Sequence, residues 1–168
     1  MTHRRLASTG APGRPQPLLG VATGAGAGVP LGKWTKNIEI SKPPQAVWDV
    51  ATDYPNLPKW TAKVSKVEVV PPGPASVGTQ VTVTRGRITF TQTVKEMQMP
   101  ERLYTTIVNG PVTGSSTFTL KPTATGTAVE HTLELDLKGM MKIAGLFIGG
   151  GVKKELKMLK RQVEGPTQ

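Results

Sequence analysis

The sequence predicts an α+β fold in which a curved antiparallel sheet of seven strands wraps around one long C-terminal helix, with two short helices after the first strand. Three observations predict it. From Trp34 to Leu137 apolar and polar residues alternate in short runs, the period of half-buried strands. The separators between consecutive runs are brief and rich in Pro and Gly, too short for the crossovers that parallel pairing needs. Beyond Ile148 the apolar spacing changes to that of a helix.

The first strand spans Trp34 to Ile40 and stops at Ser41-Lys42-Pro43-Pro44. Pro44 fits the first turn of the following helix, where its missing N–H costs nothing. In that helix Val47, Val50 and Ala51 share a face with Trp48 beside them, and Asp53-Tyr54-Pro55 ends it. A second short helix fits between Asn56 and Trp60. Strands follow at Ala62 to Val70, Gly78 to Arg85, Ile88 to Met99, Arg102 to Val108, Gly114 to Leu120 and Thr127 to Leu137. Ile148, Val152, Leu156, Leu159 and Val163 then form one narrow helical stripe. The run Gly149-Gly150-Gly151 is able to split Met140 to Ile148 from the main helix as a separate turn.

Residues 1–32 contain no acid and no aromatic residue and are dominated by Gly, Ala, Pro and Thr. Such a segment buries too little apolar surface to offset the entropy of ordering, so it reads as a disordered tail before a single domain at 33–164. Arg4-Arg5-Leu6 ahead of an uncharged stretch with Ala25-Gly26-Ala27 offers a twin-arginine export reading. Gly and Pro dilute that stretch, and the sequence reading places the chain in the cytoplasm.

Composition excludes several chemistries. The absence of cysteine removes disulfide scaffolds, Cys-based zinc sites, iron–sulfur clusters and cysteine nucleophiles. The 2 histidines, His3 and His131, cannot make a three-histidine zinc site, and no metal is expected. Gly24-Ala25-Gly26-Ala27-Gly28 has no strand before it and is no dinucleotide fingerprint, so no cofactor is expected either. No apolar run is long enough to span a bilayer as a helix.

The order of elements, the helix motif Pro43-Pro44-Gln45-Ala46-Val47-Trp48-Asp49-Val50, the segment Asp53-Tyr54-Pro55-Asn56-Leu57-Pro58-Lys59-Trp60, and Gly78-Thr79 opening the third strand resemble the SRPBCC superfamily. Its members include START-related lipid carriers, polyketide cyclases and plant-allergen-type ligand binders. The resemblance covers roughly Lys33 to Gln162. It implies the helix-grip (START-like) fold, with an internal hydrophobic cavity between sheet and final helix and an entrance near the two short helices. A shared fold does not by itself assign chemistry.

Strand phase supplies the candidates for that cavity. On the last strand His131 shares a face with Val129, Leu133, Leu135 and Leu137, so an imidazole points inward among leucines as a candidate acid, base or hydrogen-bond partner. On the fourth strand Gln92 interrupts the row Ile88, Phe90, Val94, Glu96, and a buried amide there needs partners. Arg85 follows Val81 and Val83 in phase, able to meet a ligand carboxylate or, as a strand-end arginine beside Gly86, to reach solvent. The fifth strand is ambiguous, since either Leu103, Thr105, Ile107 or Tyr104, Thr106, Val108 can face inward; Tyr104 is therefore a candidate. Ser116 is in phase with Phe118 and Leu120. Trp48, Tyr54 and Trp60 cluster in the two-helix region as core or as entrance lining, and Leu133 and Phe147 complete the apolar lining.

Two readings of function stand. The chain either holds a hydrophobic small molecule, lipid or polyketide-like, or is a cyclase or dehydratase (a lyase or isomerase) in which the same cavity folds the substrate while His131, with Arg85 or Gln92, moves protons. A third feature is the formal charge of +10. Lys153, Lys154, Lys157, Lys160 and Arg161 fall on one side of the terminal helix, opposite the apolar stripe, with Glu155 outside the cluster. That face suits a solvated surface or docking of a lipid carrier on an anionic membrane. Nucleic acid is disfavoured, because no aromatic residue interleaves with these lysines to stack bases.

Overall fold

The computed structural model describes residues 32–110, 112–136 and 141–165, with the side chains of 141–148 left aside. The tail expected at 1–32, with its Arg4-Arg5 pair, lies outside the described residues but for Gly32. The elements are β1 (Gly32–Ile40), α1 (Pro44–Thr52), a 3-10 helix η1 (Tyr54–Lys59), β2 (Val64–Val70), β3 (Gln80–Arg85), β4 (Ile88–Gln98), β5 (Arg102–Asn109), β6 (Val112–Pro122), β7 (Thr127–Asp136) and α2 (Met141–Glu164). The seven strands form one sheet in the order β1-β7-β6-β5-β4-β3-β2, every neighbouring pair antiparallel. Only β1 and β7 pair out of sequence order, which brings the two ends of the strand region side by side.

Period 2 decides what the sheet offers its concave face. In β3 Val81 and Val83 are fully buried, and in β5 Leu103, Thr105 and Ile107 are buried while their alternates are not. Register then lines these residues up across strands: Leu135, Gly114, Ile107, Gln92 and Val81 form one row running from β7 to β3. An irregularity in β4 between Val94 and Glu96 leaves Lys95 without an opposite residue. It reverses the phase, so Met97 packs against the core and Glu96 faces Arg102 in solvent, where strict alternation puts Glu96 inward.

Helix α2 closes the concave side. Val152, Leu156 and Leu159 are buried on it, and Leu156 and Leu159 join the core cluster of Val47, Trp48, Val81, Val83 and Leu120. The three consecutive glycines do not split it: α2 is continuous from Met141 to Glu164. A Cβ at Gly149 would lie 2.9 Å from Cδ1 of Trp34 on β1, so the helix uses this glycine for close approach to the sheet. That packing offsets the roughly 1 kcal/mol by which a helical glycine is worse than alanine. Among the described residues no helix is long and apolar enough to cross a membrane.

Leu159 is wholly buried where helix meets sheet. Leu159→Ala is expected to lower the free energy of unfolding by about 2–5 kcal/mol, read as a fall in the urea midpoint without a change of slope.

Candidate functional site

Between the concave sheet, η1 and α2 lies a pocket of about 470 Å³. Its walls are mostly apolar. Phe90, Leu103, Ile107, Val112, Phe118, Leu133, Leu135 and Val152 supply them, with Leu57 of η1 beside Tyr54 and Trp60. Ligand pockets commonly span about 300–1,000 Å³ and join an apolar lining to a few polar groups, and this one fits both terms.

The polar groups are few and closely placed. Phe118 and His131 are directly opposite on β6 and β7, and their rings stack with centroids 4.0 Å apart and an interplanar angle of 13°. Ser116 lies opposite Leu133, two residues along β7 from His131, the diagonal separation at which side chains on one face meet. Its hydroxyl shares a hydrogen bond of 2.9 Å with His131 Nε2. His131 Nδ1 has no partner among the described residues. Burial lowers the His131 pKa from 6.5 to about 4, so at neutral pH the ring is uncharged.

That geometry sets the chemistry of the pair. A serine nucleophile needs a basic imidazole whose other nitrogen is held by a third group, and here that nitrogen is unpartnered and the ring is a weak base. At neutral pH the uncharged ring is available for hydrogen bonding. Tyr54 Oη and Trp60 Nε1 are likewise buried without partners, on residues that also line the pocket. Burial pushes the Tyr54 hydroxyl up to about 12, which keeps it a neutral donor. A buried polar atom left unpaired costs about 1–3 kcal/mol, so three of them around one pocket is an unusual concentration.

Arg85 also lines the pocket, at the end of β3. Its Nη1 donates to Glu155 Oε1 of α2 at 2.5 Å. Glu155 is the lining residue that sequence reasoning missed most consequentially: it lies three residues after Val152 and one before Leu156, hence beside the apolar stripe, and that spacing was the available signal. Burial pushes the Glu155 carboxyl up, and the guanidinium beside it opposes the rise.

The structure brings His131, Arg85, Tyr54, Trp60, Phe90, Gln92, Ser116, Phe118 and Leu133 to the pocket. Two expectations are corrected. Tyr104 is not among the lining residues, because the β5 register turns Leu103, Thr105 and Ile107 inward. Trp48 is 3 % exposed and belongs to the core cluster, while Ala51 on the same helix reaches the pocket. The Phe147 side chain lies outside the described residues. Asn109 and Val112, at the β5–β6 turn, line the pocket without having been singled out in the sequence. On the outer side of α2, Lys153, Lys154, Lys157 and Arg161 are exposed, whereas Lys160 Nζ donates to the Glu39 carbonyl at 2.8 Å and pairs with Glu164.

Comparison with known proteins agrees with this architecture. A family model described as polyketide cyclase / dehydrase and lipid transport matches residues 32–164. The protein MLL2253 of Mesorhizobium loti has a similar structure, with a TM-score of 0.68 and 18% identity over 82% of this chain and 100% of that one. A START superfamily protein of Mycobacterium smegmatis gives a TM-score of 0.67 at 14% identity, over 79% of this chain and 97% of that one. The protein TTHA0849 of Thermus thermophilus gives 0.64 at 20% identity, again over 79% and 97%. At such identities the likeness establishes the fold. No curated protein matches the sequence significantly.

Because the folded chain holds His131 neutral while the unfolded chain takes up a proton near pH 6.5, acid favours unfolding. The stability from this residue is fully present above pH 6.5 and is lost as pH falls to about 4, a loss of about 3 kcal/mol. His131→Gln is expected to flatten the decline measured by urea unfolding between pH 6.5 and 5, before most carboxylates titrate. An unchanged decline would show that other groups carry it.

Proposed function

The chain belongs to the polyketide cyclase / dehydrase and lipid transport family, and from that premise we propose that it binds a hydrophobic small molecule, lipid or polyketide-like, in the pocket between sheet and α2. The observation that carries the reading is the pocket itself: about 470 Å³ walled by leucine, valine, isoleucine and phenylalanine, in a domain whose other interior packs as a core. A folded chain gains from filling such space, and a ligand that brings a carbonyl or hydroxyl oxygen would meet groups on Tyr54, Trp60 and His131 that have no partner among the described residues. Binding is favoured over acid–base turnover because the pocket's histidine is a weak base with no carboxylate behind it among the described residues.

A carrier of apolar cargo also needs a place to collect or deliver it. The exposed cations Lys153, Lys154, Lys157 and Arg161 of α2 support docking on an anionic lipid surface, next to the helix that closes the pocket.

Nile red, a neutral apolar dye, is expected to bind one to one, and Ser116→Trp is expected to abolish saturable binding while leaving the circular dichroism of the fold intact. Dye binding by wild type that is absent or unsaturable would overturn the reading. Sedimentation with vesicles rich in phosphatidylserine checks the docking: binding is expected to fall steeply with added salt and to be lost when Lys153, Lys154, Lys157 and Arg161 are all replaced by Gln.

A further inference from the structure

We propose that Glu155 is a specificity-determining residue that closes the pocket to anionic ligands, so that the occupant is an uncharged molecule and not a carboxylate such as a free fatty acid. The inference rests on the ligand-binding reading above and refines it. Arg85 and Glu155 are the charged residues that line the pocket among the described residues, and each is the other's partner. Arg85 Nη1 reaches Glu155 Oε1 at 2.5 Å, with the Glu155 side chain only 15% exposed and the Arg85 side chain 35%.

An unpaired arginine at this place would be a natural anchor for a carboxylate head. Guanidinium and carboxylate match in geometry and charge, and a partly dry setting strengthens the pair. Glu155 already supplies that carboxylate. A ligand anion entering the pocket therefore has two courses, both unfavourable: it displaces Glu155 and leaves that buried acid without its cation, or it sits desolvated among leucines with no cation of its own. His131 offers no rescue, since it stands neutral beside Ser116 and Phe118.

The chain's overall charge pulls in the opposite direction. A formal charge of +10 draws anions toward the surface, but its cations are spread over solvated side chains and are screened within about 10 Å in ordinary salt. Among the described residues the charges nearest the inside of the pocket are the matched pair, whose field largely cancels. A neutral alcohol, ketone or ester of the same chain escapes the penalty and still offers an oxygen to Tyr54, Trp60 or His131.

The test is displacement of bound Nile red at neutral pH by decan-1-ol and by decanoate, which share a chain and differ in charge. Wild type is expected to prefer the alcohol by about tenfold or more. Glu155→Gln, which frees Arg85, is expected to raise decanoate affinity relative to that of decan-1-ol about tenfold or more. Arg85→Gln combined with Glu155→Gln should show no gain for decanoate relative to decan-1-ol. Equal displacement by the two compounds in wild type, displacement by neither, or no gain for decanoate in Glu155→Gln while the dye still binds would overturn the proposal. Failure of the dye itself to bind wild type would instead remove the ligand-binding reading beneath it.

Discussion

The burial of one helical stripe against one concave sheet face is the constraint on which the rest depends. Val152, Leu156 and Leu159 must leave water together, and they lie on a helix long enough to cross several strands. A flat sheet would meet that stripe along a line. A twisted and curved sheet covers it along its length, but cannot follow it everywhere, because the strands splay toward one end as they coil. The pocket is the space left by that mismatch, and the glycine at 149 lets helix and β1 nearly touch. Fold and pocket thus arise from the same packing problem.

The pocket's polar groups are best understood as costs the fold tolerates. A histidine stacked on phenylalanine and bonded on one nitrogen, a tyrosine and a tryptophan with unpaired polar atoms, and an ion pair mostly withdrawn from water each work against stability when nothing occupies the space. Cores of comparable size usually fill such positions with aliphatic side chains. Their concentration around one pocket is a physical argument for a ligand that complements them, made without reference to any relative.

Two charge distributions coexist in the molecule and do different work. The outer face of α2 carries exposed cations that act at a distance and weaken with salt, while the inner face of the same helix carries Glu155 against Arg85, a short-range contact that salt barely reaches. One helix therefore presents anion attraction to the outside and charge cancellation to the inside. An outer face of exposed cations and a pocket wall of paired charges are compatible on one helix because their ranges differ.

The sequence by itself determined whatever depends on local period and turn chemistry: the order of elements, the inward phase of His131 and Ser116, and the apolar stripe of α2. It left β5 undecided, since both faces carry acceptable residues, and it misplaced Glu96, since an irregularity of one residue reverses phase without any marker. What only the tertiary structure decided is who meets whom. Ser116 and His131 are 15 residues apart and Arg85 and Glu155 are 70 apart, and neither distance is encoded in spacing. Cross-strand register brings the first pair together and the docking of helix on sheet the second. Both are set by the summed burial of many side chains, a quantity that no short stretch of sequence contains.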